Sequence, residues 1–456
     1  MKIGIVATFG KSEATKNELI EVTNKSPKYL QDAYSSKDNG AKKRGQRKKG
    51  VKGVPYDIAI GYYIMDKFNK KPTKGERVEV NFITPDKLSV AAFAKNDINF
   101  MMIYDILEAM NLTDDGKIIT KNQQNNYAAA KKLANVLSKV DNVFPPYDYQ
   151  KLINSKCAYY DYLNKKKIPI SPTMCVPTTL VSQTVFVKNM MTAIKKLKLN
   201  GTFYTKPDGG QESIGGRRWS RGTDKDNIWG RSQGESFFKN QAELEQKLGV
   251  YYKDVGSKFD SIIIQKFQPG FDEIGDDDTG FNDKSPENRT YFVGGEYQYT
   301  MTTDYFCFRQ PKVDGGQTKF IGGKKGFCEE TRAKKAGLKN ACYLATHERA
   351  CRGPQVSRET LKRTKALGVR TMRAMPKIKI QGIELPRLLT RVDIGIVAKK
   401  YTPKGKKQTI FVNEVEFVPS LFHKYVRTKK IYEKLGQQMH IITALFNKKK
   451  ATKGKK

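Results

Sequence analysis

The chain has 456 residues and carries 84 Lys and Arg against 46 Asp and Glu, a formal charge of +38 at pH 7. At roughly 100 to 200 residues per domain the length allows two to four domains, and a hydrophobic share of 38% is enough for real cores, which excludes wholesale disorder. No run approaches the ~18 consecutive apolar residues of a membrane span, and Met1-Lys2-Ile3-Gly4-Ile5-Val6 lacks the longer apolar core of a signal peptide. A soluble, cytoplasmic protein is expected. The six cysteines (Cys157, Cys175, Cys307, Cys328, Cys342, Cys351) are scattered without a CxxC pair, which argues against a disulfide framework and for a reducing compartment. With His347, Cys342 and Cys351 match no zinc signature.

In chain order, the apolar run from Lys2 to Phe9 predicts a buried first strand that opens an α/β unit. Seven basic residues (Lys42, Lys43, Arg44, Arg47, Lys48, Lys49, Lys52) lie among glycines without an acid, so 41–53 is expected as an exposed basic loop. Arg77 to Ile83 reads as a strand, and Asn96 to Met110 and Ala128 to Val140 as amphipathic helices. Val143-Phe144-Pro145-Pro146 breaks the pattern and places a boundary near 145. Asp148 to Asn164 reads as one helix closed by Lys165-Lys166-Lys167, and Ile168 to Thr173 as extended backbone.

Beyond that point strands are expected at Gly201 to Lys206, Ser261 to Phe267, Arg289 to Val293, Glu296 to Thr300, Leu389 to Val397 and Gln408 to Phe417. Helices near Asn189 to Lys198 and Ala242 to Lys253 alternate with them, an α+β organisation. Arg332 to Lys379 holds 14 basic residues and two acids, mostly on a helix from Ser357 to Met375. The last nine residues contain six lysines, and 448–456 is expected as a disordered tail.

Three segments carry chemistry. In Thr205-Lys206-Pro207-Asp208-Gly209-Gly210-Gln211-Glu212-Ser213-Ile214-Gly215-Gly216, a lysine at a strand end precedes glycines that let backbone N–H groups close on phosphate oxygens; a plain hairpin turn is the alternative. Ile262 to Glu273 is an apolar strand leaving through Pro269-Gly270 into two acids. Its end can offer backbone hydrogen bonds to an adenine edge, Phe267 to the ring face and a carboxylate to ribose, although an ordinary strand and turn fits the residues too. The third pairs Arg391-Val392-Asp393 with Asn413-Glu414-Val415-Glu416: residues two apart share a strand face, so two antiparallel strands would converge three carboxylates and an arginine. Magnesium bridging nucleotide phosphates would partner them, as would salt bridges with nearby lysines.

The order of Lys206 and its glycine loop, Gln265 to Glu273, Arg391-x-Asp393 and Asn413-Glu414-x-Glu416 resembles the ATP-grasp superfamily, in its carboxylate-amine ligase branch. Asn154-Ser155-Lys156 and Arg289-Thr290-Tyr291-Phe292-Val293-Gly294-Gly295-Glu296 are similar to that family as well. The likeness runs over about 140–425 and is nearest to the D-alanine ligases, glutathione synthetases and ribosomal-protein glutamate ligases. It implies an α+β ATP-grasp fold behind an α/β pre-ATP-grasp domain: 1–145 for the latter, 146–447 for the grasp (about 170–270 gripping nucleotide, 271–447 holding metal and substrate, with a basic insertion at 328–379).

The same resemblance implies roles. Lys156 and Lys206 would contact ATP phosphates under a loop of Ser213, Ile214 and Gly215; Gln265, Phe267 and Glu273 would hold adenine and ribose. Asp393, Glu414 and Glu416 would bind one or two Mg²⁺, Arg391 would face an acyl phosphate, and Arg289 and Arg309 would meet the substrate. The family usually has Asn where this chain has Glu416. The expected function is an ADP-forming, Mg²⁺-requiring ligase of an acidic small molecule, peptide or protein carboxylate with an amine. The rival expectations are a kinase of a polyanionic small molecule on the same fold, and a basic structural protein that binds nucleic acid through its basic segments and is packaged with it.

Overall fold

A computed structural model of the chain describes residues 1–6, 19–22, 24–35, 53–70, 77–83, 87–102, 135–199, 201–208, 215–222, 233–268, 287–303, 308–310, 319–320, 358–397, 401–417 and 428–453. The basic loop expected at 41–53 lies outside them except for its last residue, as do Ser213, Ile214, Glu273 and the insertion up to residue 357.

The first unit contains β1 (Lys2–Val6), β2 (Leu19–Glu21), α1 (Lys28–Ser35), β3 (Gly53–Pro55), α2 (Tyr56–Asn69), β4 (Glu79–Ile83), α3 (Val90–Ala94), β5 (Ile98–Met101) and β6 (Val143–Phe144). Its parallel sheet has the order β4-β1-β5-β6, and β2 pairs with β3 beside it. Burial of Ile3, Ile5 and Val6 explains why the first strand is legible as an unbroken apolar run. One expectation is corrected here: the segment read as a helix from Asn96 is strand β5 at Ile98–Met101, and 103–110 lies outside the described residues. Four consecutive buried side chains on a central parallel strand give no alternation, so periodicity cannot tell them from a buried helix.

The second unit opens with α4 (Tyr147–Asn154) and α5 (Lys156–Lys165). These are two helices, not the single one expected over Asp148 to Asn164. Ser155 leaves the helical region and its hydroxyl accepts from the Ala158 amide at 3.0 Å, an N-cap that starts α5 afresh. Then follow β7 (Thr173–Pro177), α6 (Gln183–Lys196), β8 (Thr202–Pro207), β9 (Gly216–Arg221), β10 (Gln233–Phe238), α7 (Gln241–Asp254) and β11 (Ser261–Lys266). The strands order as β10-β9-β8-β11-β7. One face carries Phe203, Trp219, Val176, Ile262 and Ile264 against α6 and α7 and forms a core of its own. The opposite face carries Tyr204, Lys206 and Gln265.

The third unit comprises β12 (Glu287–Val293), β13 (Glu296–Thr303), β14 (Phe308–Gln310), β15 (Lys319–Phe320), α8 (Arg358–Ala374), β16 (Ile378–Ile380), β17 (Ile383–Leu385), β18 (Leu389–Ile396), β19 (Ile410–Phe417) and α9 (Thr428–Lys453). Its main sheet is antiparallel, β15-β14-β13-β12-β18-β19. The helix of the basic insertion, α8, backs this sheet: Asn288 donates to Thr364 Oγ1 at 3.0 Å, and a Cβ on Gly368 would meet Phe292 at 3.2 Å. Lys362, Arg370 and Arg373 are exposed, Arg363 and Lys365 are partly buried against Gln408 and Tyr297, and Leu361, Leu367 and Met372 are buried.

The tail expectation is corrected too. Helix α9 continues to Lys453, crossing from β12 to α2, where a Cβ at Gly436 would lie 2.5 Å from the Tyr63 ring. Lysines at its C-terminal end suit the negative pole of the helix dipole. No helix among the described residues is long and apolar enough to cross a membrane.

Candidate active site

The site lies where the Lys206 face of the five-stranded sheet meets β12, β18 and β19. Antiparallel pairing places Arg289 opposite Asp393 and Asp393 opposite Glu414, with Tyr291, Arg391 and Glu416 forming the next row. All therefore share one face, which sets Asp393 directly opposite a like charge, Glu414, and leaves Arg289 and Arg391 to offset the carboxylates. A β-bulge follows, since Asp393 opposes Glu414 but Ile394 opposes Val412, leaving Asn413 as the extra residue. The bulge turns Asn413 toward Glu287, to which its amide donates at 2.9 Å, and frees its carbonyl to accept from the Tyr160 hydroxyl.

Arg391 is the buried hub. Its Nε and Nη2 donate to both oxygens of Asp393 at 2.6 and 2.7 Å, and Nη2 also donates to Glu416 Oε1 at 2.5 Å. Arg289 Nε lies 2.8 Å from Glu287 and 3.8 Å from Asp393. From helix α5 and from strand β8, the Lys156 and Lys206 ammonium groups stand 3.7 and 3.8 Å from Glu414 Oε1. Four cations thus face four carboxylates (Glu287, Asp393, Glu414, Glu416), which keeps a largely buried cluster near neutrality.

The carboxyls separate into two kinds. Burial works against ionisation of Glu414, but Lys156 and Lys206 outweigh it and hold the group at about 2. Burial pushes Asp393 up to about 8 and raises Glu416, in each case against the pull of Arg391, a single guanidinium shared between them.

Ligand atoms of Asp393, Glu414 and Glu416 lie within 4.8 Å of one another. Glu416 Oε2 is buried and accepts no hydrogen bond from the described residues, an orphaned acceptor that a hard cation would satisfy. The donor set, all carboxylate oxygen, fits Mg²⁺.

A proton-linked prediction follows. The native Asp393–Glu416 pair retains a proton at pH values where the unfolded chain does not, so without metal its contribution to stability falls as pH rises from the ordinary carboxylate range, about 4, toward 8. Ligation of a metal by these carboxylates would release that proton. Mg²⁺ affinity is therefore expected to rise from pH 6 to pH 8, with proton release visible as a buffer-dependent heat in calorimetry; an affinity flat across that range would contradict it.

Helix α5 delivers Lys156. Its first turn is held by Asp208, which accepts from the Ser155 hydroxyl at 2.8 Å and the Cys157 amide at 3.1 Å, and by a disulfide from Cys157 to Cys175 on β7. The disulfide corrects the expectation drawn from scattered cysteines, and the inference of a reducing compartment lapses with it. The two cysteines are 18 residues apart, and only the chain's return from α5 into the edge strand β7 brings their Cα atoms to 5.9 Å. Closing a loop of that length stabilises by about 3 kcal/mol in the chain-entropy treatment. A dithiol is expected to lower the wild-type unfolding midpoint and to leave Cys175→Ser unchanged; equal midpoints for the wild type with and without reductant would refute this.

Of the remaining expected residues, Gln265 is buried and donates to Thr173 Oγ1 at 2.9 Å, while Phe267 lies under the Arg218 guanidinium, 4.6 Å from its ring centroid. Gly215 holds φ +72° at the mouth of β9, a left-handed conformation that suits glycine. Arg309 lies on β14; its side chain falls outside the described set, as do Ser213, Ile214 and Glu273. Sequence reasoning missed Tyr160, Asp208 and Glu287. Only Tyr160 left a signal, its i to i+4 spacing from Lys156 on one helix face.

No family model and no curated protein matches the chain. Among solved structures it is similar to a D-alanine–D-alanine ligase from Bacillus anthracis, at 11% identity and TM-score 0.43 over 99% of each chain. D-alanyl-alanine synthetase A from Vibrio cholerae matches at 10% and 0.44 over 97% of this chain and 98% of the other. A D-cycloserine synthetase matches at 14% and 0.41 over 84% and 95%. These neighbours are of the ATP-grasp type. At such identities and TM-scores the likeness carries no argument about what this chain does.

Proposed function

We propose that the chain is an ADP-forming, Mg²⁺-requiring carboxylate-amine ligase of the ATP-grasp kind, acting on an acidic substrate. The observation that supports it most is the convergence of Lys156 from helix α5 and Lys206 from the five-stranded sheet on the Glu414 carboxylate of the other sheet, beside Asp393 and Glu416. Such a junction suits a polyphosphate held between cations and carboxylate-bound metal. Asp393, Glu414 and Glu416 would hold Mg²⁺, which when bound supplies charge neutralisation at the transferring phosphoryl group.

The chain's own residues do the rest. Lys156 on helix α5 and Lys206 on strand β8 would balance phosphate charge, and their pairing with Glu414 keeps both ammonium groups in place before a nucleotide arrives. Arg391, fixed in two directions by Asp393 and Glu416, offers donors where oxyanion charge develops without paying reorganisation at that moment. Asp393 and Arg391 are buried, while Glu414 and Glu416 stay partly exposed, as ligands that a soluble metal ion must reach would be. A substrate carboxylate oxygen would attack the γ-phosphorus as its bond to the ADP bridging oxygen breaks, and an amine would then attack the acyl carbon of the acyl phosphate, expelling inorganic phosphate and giving up a proton to form the amide. The surplus of 38 positive charges favours acidic partners in encounter.

The test is a thermal shift with Mg²⁺ and ATP, followed by ADP release in the presence of pools of carboxylates and amines. Stabilisation by nucleotide and ADP formed together with an amide support the reading. ADP with a phosphorylated hydroxyl would replace it with the kinase. No shift at millimolar ATP, with salt-sensitive binding of duplex DNA, would replace it with the nucleic-acid-associated protein.

A further inference from the structure

Tyr160 sits on the second turn of α5, 2% exposed, with its ring 4.7 Å from that of Tyr159 in an edge-on arrangement. A phenol has one proton to give. Here it goes to the carbonyl of Asn413, the residue that the bulge removes from regular pairing on β19. With the proton committed, a lone pair faces Lys206, whose Nζ donates to the Tyr160 oxygen at 3.0 Å and stands 5.4 Å from the ring centroid. One side chain, on a helix tethered by the Cys157–Cys175 disulfide, thus touches the lysine of one sheet and the metal-ligand strand of the other.

We infer that Tyr160 is the positioning residue of the site: it sets the Lys206 ammonium against Glu414 and holds the Asn413 bulge that aims Glu414, so that the two sheets meet in register. What the positioned ammonium then does, binding phosphate, rests on the function proposed above; the positioning itself does not. A phenol suits the task better than a carboxylate. It accepts from the lysine without adding a further negative charge beside Glu414.

Tyr160→Phe keeps the ring and removes the hydroxyl, and two measurements are made on the full chain with its disulfide intact. The first is the dissociation constant for ATP with Mg²⁺, together with the split of KM and kcat. A hydrogen bond to a charged group predicts about a tenfold weaker nucleotide affinity, appearing in KM for ATP more than in kcat. The second needs no nucleotide: acetylation of Lys206 by acetic anhydride, followed by mass spectrometry against exposed Lys258 as internal reference. Loss of the phenol is expected to speed Lys206 modification several-fold while Lys258 stays constant.

If wild type fails to bind ATP, the functional reading falls and the acetylation result alone decides the positioning role. Tyr160→Phe that changes only the unfolding midpoint, with Lys206 reactivity within twofold of wild type, overturns it. So does a nucleotide affinity within twofold of wild type where wild type binds.

Discussion

Lys206→Ala is expected to lower ADP release by about 10²–10³, the range for removing one preorganised charge-stabilising donor. Glu414→Gln is expected to abolish the stabilisation by Mg²⁺ and ATP altogether. Both follow from one arrangement, in which Glu414 Oε1 is approached by Lys156 at 3.7 Å and Lys206 at 3.8 Å, and a carboxylate oxygen of Glu414 lies within 4.8 Å of one each from Asp393 and Glu416. Gln preserves the shape of Glu414 and removes the charge that both lysines and a metal need. The two effects differ in kind. Lys206→Ala leaves the carboxylate cluster intact, so Mg²⁺ still binds and turnover falls; Glu414→Gln removes a ligand, so Mg²⁺ titration itself weakens. Calorimetry with Mg²⁺ alone separates them, and equal Mg²⁺ affinity in wild type and Glu414→Gln would remove Glu414 from the metal site.

Asp393→Ala carries the largest expected effect on stability. Asp393 is 1% exposed and takes two hydrogen bonds from an arginine that is itself 2% exposed. Removing Asp393 leaves the buried guanidinium with Glu416 as its remaining carboxylate and strands the Arg391 donors that Asp393 satisfied, a break in a buried charged network that costs about 3–5 kcal/mol. Urea unfolding should show that loss as a lower midpoint. Replacing the hub together, as Arg391→Met, Asp393→Leu and Glu416→Gln, removes the stranded charges as well and is expected to recover more than half of it. ADP release stays lost in both proteins. Asp393→Ala unfolding at the wild-type midpoint would show that the ladder is far wetter than its geometry indicates.

Several parts of this molecule were legible from residues alone. Strands β8, β11, β12, β18 and β19 are apolar runs or alternations of ordinary length, and their polar interruptions, Arg391, Asp393, Glu414 and Glu416, stand out because carboxylates inside apolar strands need partners. Period-two geometry then put each pair on one face without any knowledge of the fold. Helices α7 and α8 were legible to within a residue at each end, and α6 by its second half only, since it starts at Gln183, six residues before the expected Asn189.

Where the local pattern is silent, the sequence misled. The buried strand β5 has no alternation to distinguish it from helix, and the lysine-rich end of the chain looked structureless although helix α9 runs through it, anchored by a face that packs on α2 and β12. The break at Ser155 depends on a cap, a single hydroxyl seeking a single amide, that looks like any serine in a helical window.

By itself, then, the sequence determined which residues could do chemistry and which faces they occupy, because side-chain type and strand period are local properties. Tertiary structure decided who meets whom. The disulfide from Cys157 to Cys175, the approach of Lys156 and Lys206 to Glu414, and the Tyr160 contact with Asn413 join residues whose separation along the chain, from 18 to 258 positions, carries no trace of their proximity. They meet because burying the apolar faces of three sheets and the helices between them fixes those sheets in space, and the charged groups along the seam are carried together with the cores that hold them.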